Sequence, residues 1–301
     1  MDLPITEIQR FCMQDGPGVR TTVFFKGCPL RCQWCHNPET QRTGQEILFH
    51  TSSCIGCGAC ATVCPSGAQL TIPERRFDRS SCHGCGACVE ACPTGALTPA
   101  MRMISLENVV NTVLRDRAFY GEDGGVTLSG GEPMMHPEEA LALLRRCREE
   151  GLHTAMETCG CFDSAYLPAL VRDCDILLWD FKDHDEERHL RYTGVSNQRI
   201  LENLYAADEL GAKIALHCIM VKGVNMEDAH YRAIARLAQE LTGLCYVKLI
   251  PYHAYGGSKA TLLGRKDSGV TEWIPTAEDM EVAMGSLLAL GVPQEKLRLG
   301  V

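Results

Sequence analysis

The chain has 301 residues, a formal net charge of −9 and eighteen cysteines. Its length accommodates one large α/β domain with a small additional module, and the acidic balance argues against binding to a phosphate backbone, which needs clustered Lys and Arg. No apolar run approaches the ~20 residues of a membrane-spanning helix, and Met1-Asp2-Leu3-Pro4 reads as no secretory leader. The expected setting is therefore a reducing cytoplasm, where tight C-x2-C spacings mean metal centres rather than disulfides.

In chain order, Asp15-Gly16-Pro17-Gly18-Val19-Arg20 is turn-forming by its Gly and Pro content. Val23 to Phe25 reads as a short buried strand, too brief for a helix. The loop Gly27-Cys28-Pro29-Leu30-Arg31-Cys32-Gln33-Trp34-Cys35-His36-Asn37 follows, with a C-x3-C-x2-C array. Three thiolates on one loop suit an iron–sulfur cube that keeps one iron free of protein ligands. A structural zinc loop is the alternative, but zinc wants a fourth protein ligand and His36 adjoins Cys35 too closely to supply it.

Residues 47–100 differ in composition and contain an internal repeat. Cys54, Cys57, Cys60 and Cys64-Pro65 are matched by Cys82, Cys85, Cys88 and Cys92-Pro93, each run spelling C-x2-C-x2-C-x3-C-P. In the bacterial two-cluster ferredoxin pattern the fourth Cys of each run serves the other cluster. One 4Fe–4S cluster would then take Cys54, Cys57, Cys60 and Cys92, and the second Cys82, Cys85, Cys88 and Cys64. A pair of zinc knuckles is the bland alternative. The expected division is a barrel in two parts, 1–46 and 101–301, interrupted by a ferredoxin-like insert over 47–100. The seven cysteines outside these runs, Cys12, Cys147, Cys159, Cys161, Cys174, Cys218 and Cys245, are expected mostly as small buried apolar residues.

Beyond the insert, strand and helix alternate. Ser105 to Phe119 reads as a helix capped by Ser105, with Leu106, Val109, Val110, Val113 and Leu114 on one face. Gly125 to Leu128 is a strand, and Pro137 to Gly151 frames a helix with Pro at its start and Gly past its end. Strands are expected at His153–Met156, Ile176–Trp179, Lys213–Met220 and Tyr246–Ile250, with helices around 163–173, 198–211 and 227–242. These make six βα units, a partial (β/α)6 barrel with a parallel sheet. In such folds the active site is built at the C-terminal ends of the strands, where the polar motifs of this sequence lie.

Each motif carries two readings. Gly130-Gly131-Glu132-Pro133 lets a ligand approach bare backbone beside a carboxylate, which suits an amine or sulfonium group; a plain turn is the alternative. Asp180 and Lys182 share one side of a strand, as a functional pair or as a surface salt bridge. Glu157-Thr158 serves as an amine ligand or a helix cap. His217 and His253 each lie in an apolar strand, as ligands or as satisfied core histidines.

Taken together, Cys28-x3-Cys32-x2-Cys35 and Gly130-Gly131-Glu132-Pro133 resemble the radical S-adenosylmethionine superfamily. Asp15 to Arg20, Trp34 inside the cluster loop and Asp180-Phe181-Lys182 narrow the resemblance to the glycyl radical enzyme activating enzymes, in the subgroup with a ferredoxin-like insert. The resemblance implies three 4Fe–4S clusters, with S-adenosylmethionine bound through the open iron of the Cys28, Cys32 and Cys35 centre. One electron, from a flavodoxin or ferredoxin, would cleave the sulfonium to methionine and a 5′-deoxyadenosyl radical. That radical would take a hydrogen from the Cα of one glycine in a partner glycyl radical enzyme. By matching position, Gly130, Gly131 and Glu132 would contact the methionine amine, and Lys182 and His253 other polar groups of the cofactor. Asp180, Glu157 and Thr158 would hold a monovalent cation, Trp34 and His217 would line the cofactor, and Asp15 would meet the partner's glycine backbone. This chain departs from the family at Glu157, where an Asp is usual, and at His217, where an Arg is usual. The competing expectations are a radical enzyme acting directly on a small molecule or peptide, and a non-enzymatic electron carrier.

Overall fold

The computed structural model describes residues 1–71, 76–266 and 269–300, so 72–75 of the expected insert and 267, 268 and 301 of the second barrel part lie outside the description. Its main element is a nine-stranded sheet. In chain order the strands are β1 (Asp2–Cys12), β2 (Arg20–Phe25), β3 (Arg102–Ser105), β4 (Gly125–Gly130), β5 (His153–Thr158), β6 (Ile176–Asp180), β7 (Ile214–Met220), β8 (Leu244–Pro251) and β9 (Leu297–Leu299). In space they run β9-β8-β7-β6-β5-β4-β2-β1-β3, an open sheet. The six strands expected from sequence are β2 and β4 to β8, adjacent and parallel.

Three strands extend the expected six. β9 adds to the far edge in parallel, and β1 and β3 close the near side antiparallel. β1 escapes a sequence reading because Pro4, which cannot donate to a ladder, argues against an interior strand. Its middle, Glu7 to Arg10, is polar and only partly buried.

Side-chain alternation along the parallel strands separates two faces. Val126, Leu128, Met156, Leu177, Trp179, Leu216 and Val247 pack with Leu141, Leu144, Leu204, Ile234 and Leu237 of the covering helices. The intervening residues Ala155, Ile176, Leu178, Ala215 and Tyr246 form a second, smaller cluster on the opposite face. Beyond that plug, the same face carries the polar residues described below.

The helices Pro137–Glu149, Leu167–Asp173, Gln198–Glu209 and Asp228–Glu240 fall where expected. The first helix after the insert is shorter than expected: it spans Leu106–Leu114, capped by the Ser105 hydroxyl, which accepts from the Asn108 N–H at 3.4 Å. There the chain bends so that Asp116 accepts from Arg10 and Thr21. Among the described residues outside 47–100, three helices went unanticipated: Glu186–Thr193, Gly256–Leu262 and Ala277–Ala289. The first two are short and the third begins with a Thr276/Asp279 capping box.

Residues 47–100 form small elements of their own. Ile47–Phe49 pairs antiparallel with Leu97–Pro99, and Gln69–Leu70 with Arg76–Phe77. The sequence repeat is also a backbone repeat. Gly56 and Gly84 both have φ +71°, Gly58 and Gly86 have +78° and +85°, and Gly67 and Gly95 have +67° and +66°. Gly58 and Gly86 each open a four-residue helix, Ala59–Thr62 and Ala87–Glu90. Among the described residues no helix is long and apolar enough to cross a membrane.

Candidate active site

Five neighbouring strands place a polar residue on the same face, near their C-terminal ends: Ser129, Glu157, Asp180, His217 and Lys248. Register makes this layer, since Asp180 lies opposite His217 and His217 opposite Lys248. Ser129 Oγ donates to Glu157 Oε2, and His217 Nδ1 stands 3.7 Å from Glu157 Oε1. Burial resists ionisation of Glu157, but His217, Ser129 and Lys182 together outweigh it and take the carboxyl down to about 2. Lys182 Nζ donates to Asp180 Oδ2 at 3.0 Å, half-buried, so the pair is no surface bridge. One ligand atom each from Glu157, Asp180 and His217 falls within 4.8 Å of the others, a spacing that suits a small cation. Thr158 does not join them: alternation turns its hydroxyl the other way, where it donates to Glu132 Oε2 at 2.8 Å.

Asp15 reaches this layer from the N-terminal turn. Its Oδ2 accepts from Thr22 Oγ1 at 2.7 Å, and its carbonyl from Thr127 Oγ1 at 2.6 Å. Burial and then the charge of Glu157 raise the Asp15 carboxyl above its ordinary value. The turn itself is pinned by Arg20, fully buried, which donates to the Pro17 carbonyl at 2.9 Å, and by Lys248 Nζ, which donates to the Gln14 carbonyl at 2.8 Å.

The cluster loop hangs from its surroundings by backbone bonds. Gly27 N–H donates to Thr40, Arg31 N–H to Thr193 and Gln33 N–H to Tyr192. The unanticipated helix Glu186–Thr193 is thus what the middle of the loop rests on. Lys26, fully buried, donates to Glu46 Oε2 at 2.8 Å and to the Glu39 carbonyl. Burial pushes the Cys35 thiol up to about 11 and Cys32 higher still, while a hydrogen bond from Cys159 holds Cys28 down. Three half-buried thiols gathered on one loop suit a metal, which deprotonates the thiols that ligate it. Lys182 is the cation nearest in influence on Cys32.

The glycine pair has a packing reason that the sequence reading missed. A Cβ on Gly130 would lie 2.4 Å from Phe25 N, and one on Gly131 would lie 2.1 Å from Gly27 O. Glycine therefore lets this loop press its backbone on the cluster loop, and Glu132 N–H donates to Gly27 O at 2.8 Å. The Glu132 carboxyl, fully buried and raised by that burial, accepts from Cys159 N at 2.7 Å and Met134 N at 3.1 Å as well as from Thr158.

Several buried polar atoms here lack partners in the described structure: both ring nitrogens of His217, Nδ1 of His253 and Nε1 of Trp34. His253 packs edge-on against His36, centroids 4.3 Å apart. Trp34 packs beside Tyr192 and Trp273. Such orphaned atoms call for a polar ligand. Sequence reasoning missed Lys26, Lys248 and Ser129, and expected Cys159 only as the small buried residue that it is. Lys248 alone left a trace, as a charge amid the apolar strand Tyr246–Ile250.

In the 47–100 segment a small cavity is lined by Cys54, Cys57, Cys60 and Cys92. Cys88 in turn feels the charges of Cys82 and Cys64, and Gln69 Nε2 donates to its sulfur at 3.7 Å.

The family model of the Radical SAM superfamily matches residues 22–233. The benzylsuccinate synthase activating enzyme of Thauera aromatica is 39% identical over 279 residues, covering 89% of this chain and 84% of that protein. The trans-4-hydroxy-L-proline dehydratase activating enzyme of Clostridioides difficile is 38% identical over 285 residues, covering 92% and 93%. Among solved structures, a radical SAM methyltransferase from Sphaerobacter thermophilus matches with a TM-score of 0.54 at 16% identity, over 93% of this chain and 66% of that one, a likeness of fold.

Proposed function

This chain belongs to the radical SAM superfamily and within it to the activating enzymes of glycyl radical enzymes, and from that membership we infer how its residues divide the work. It is an oxidoreductase-type enzyme that uses a 4Fe–4S cluster and S-adenosylmethionine to activate a glycine in a partner glycyl radical enzyme. A cluster held on Cys28, Cys32 and Cys35 would supply one-electron chemistry to bound S-adenosylmethionine, whose cleavage to methionine and a 5′-deoxyadenosyl radical would serve to take the Cα hydrogen of the partner's glycine.

Cys28, Cys32 and Cys35 hold that cluster, and Lys182 steadies the negative charge of the thiolate set. Gly130 and Gly131 bring the backbone of their loop against the cluster loop, with Glu132 beside it for the methionine amine. Glu157 and Asp180, with His217, hold a small cation or the cofactor's charged groups. An imidazole at 217 cannot grip a carboxylate with the two parallel N–H bonds that an Arg would offer. His253 and Trp34 supply polar and stacking contacts, Thr158 fixes Glu132, and Asp15 receives the glycine backbone. The observation that carries this reading is the layer of five polar residues on adjacent parallel strands with Asp15 at its rim.

For residues 47–100 we propose a ferredoxin-like insert between the barrel parts 1–46 and 101–301. It would hold one cluster on Cys54, Cys57, Cys60 and Cys92 and a second on Cys82, Cys85, Cys88 and Cys64. The cavity lined by the first set and the matched glycine φ angles support it. A reduced flavodoxin or ferredoxin in the cytoplasm would be the electron donor.

The test is anaerobic. Reduced enzyme with S-adenosylmethionine is expected to release 5′-deoxyadenosine and to raise a glycyl electron paramagnetic resonance signal in the glycyl radical enzyme encoded beside its gene. A loaded cluster that gives neither product overturns the assignment.

A further inference from the structure

The two halves of the repeat share a backbone but not an environment. A Cβ on Gly56 would meet nothing within 4 Å, whereas one on Gly84 would lie 2.4 Å from Gln45 O. Gln45 belongs to the barrel side of the seam, where its side chain exchanges hydrogen bonds with the Met101 backbone at 2.8 and 3.1 Å. In the first copy Ile55, Gly56 and Val63 are exposed; of their counterparts His83 is exposed as well, while Gly84 and Ala91 are partly covered.

The cavities differ in the same sense. The one lined by Cys54, Cys57, Cys60 and Cys92 is bounded wholly by residues 49–97. A second cavity, of about 280 Å³, lies in the seam, where Cys82 and Phe77 of the insert face Gln45, Leu263 and Arg265 of the body. Arg79 bridges it, donating to the Leu262 carbonyl at 2.8 Å and to that of Ile47.

From the seam the structure continues directly to the catalytic loop. Leu262 ends the helix Gly256–Leu262, which at seven residues is ~10 Å long. At its other end Gly256 sits on the Cys35 backbone, where a Cβ would lie 2.1 Å from Cys35 O. Midway, Lys259 donates to Asn37 Oδ1 at 2.7 Å and to Glu39 Oε1 at 2.8 Å. One short helix thus spans from the Cys82 side of the insert to Cys35.

We propose that the insert is a directional relay. The set Cys54, Cys57, Cys60 and Cys92 is the outer station, which meets a one-electron donor protein through the face around Ile55. The set Cys82, Cys85, Cys88 and Cys64 is the inner station, seated by Arg79 against the helix that leads to Cys35. This rests on the two-cluster reading above. Each turnover takes one electron from the donor, which is oxidised by one electron, and delivers it to the site on Cys28, Cys32 and Cys35 for cleavage of the sulfonium. No proton need accompany it.

The test uses the full chain, reconstituted with iron and sulfide, and reduced flavodoxin as the probe. Iron content is measured first: about twelve irons per chain, four per centre, support the three-centre premise, and about four overturn it and the relay together. With full iron, freeze-quenched electron paramagnetic resonance should show the outer centre reduced before the inner one. In Cys57→Ala, flavodoxin should reduce the remaining centres at least tenfold more slowly, relative to dithionite, than in the wild type. Ile55→Asp, which keeps every ligand, should lower the same ratio severalfold. Inner-first reduction, or an unchanged ratio in both variants at full occupancy of the remaining sites, overturns the order while leaving the two-cluster reading intact.

Discussion

The loop after β2 and the 47–100 segment both gather closely spaced cysteines, but they differ in what holds those cysteines in place. Around the sheet one continuous core runs from Leu3 through Trp179 to Leu297. The cluster loop is fastened to it by Lys26, by backbone bonds to Thr40, Tyr192 and Thr193, and by the glycine pair pressed on Gly27. In the insert the buried apolar cluster is Ile47, Cys60, Cys88 and Leu97, half of it cysteine. A module so small buries too little apolar surface to stand unaided. The loop of Cys28, Cys32 and Cys35 is thus shaped by protein contacts, and on the two-cluster proposal the 47–100 segment would depend on metal for its shape.

Removing iron is the most severe way to break that comparison. Anaerobic chelation should leave the sheet folded and unfold the insert, because metal-binding free energy is folding free energy in modules of this kind. Limited proteolysis with mass-spectrometric mapping should then place the early cuts within 47–100, faster by orders of magnitude than in the loaded protein. Equal protection of both regions after chelation would show that the insert has a sufficient core of its own.

The seam offers a milder contrast. Gly56→Ala and Gly84→Ala each force a Cβ onto a backbone at φ +71°, which costs about 1–2 kcal/mol. Gly84→Ala also drives the new methyl into Gln45 O, so it should lose a further ~1–3 kcal/mol, the usual range for overpacking. Denaturant unfolding of the loaded variants, followed at the iron–sulfur absorbance, measures the difference. Equal losses would mean that the second copy does not bear on the body.

Much of this was legible in the sequence, for physical reasons. The six parallel strands are short apolar runs with turn residues at both ends, and the cysteine runs stand out by the spacing that metal ligation would impose. What stayed hidden depends on contacts between distant segments. β1 is disguised by Pro4 and a polar middle, and gains its place by lying between β2 and β3. The helix Glu186–Thr193 is half charged, yet its last carbonyls carry the cluster loop. The Gly130-Gly131 pair reads as room for a ligand, while its nearest neighbours are Phe25 and Gly27. Arg20 and Lys26 look like surface charges and are fully buried.

The smallest effect belongs to the sheet side alone and needs no metal. His230, on the helix Asp228–Glu240, is fully buried, stacked on Phe181 at 5.3 Å, with Nδ1 3.3 Å from His184 Nδ1. Burial pushes its imidazole down to about 3, with Asp183 opposing and His184 and Arg188 adding to the shift. In the unfolded chain the same group titrates near ~6.5. Between those values the unfolded state holds a proton that the folded state refuses, so stability falls as pH drops, by ~1.4 kcal/mol per pH unit, and is restored above ~6.5. His230→Phe removes that proton difference while keeping a ring against Phe181, though it also forfeits the bond to His184. Its stability at pH 7 is therefore less informative than its slope. Urea unfolding followed by tryptophan fluorescence at pH 7 and pH 5 should show the wild type losing ~2 kcal/mol more than the variant over that interval. Parallel slopes would mean that His230 takes up its proton in the folded state, and the body's acid sensitivity would then have to lie elsewhere.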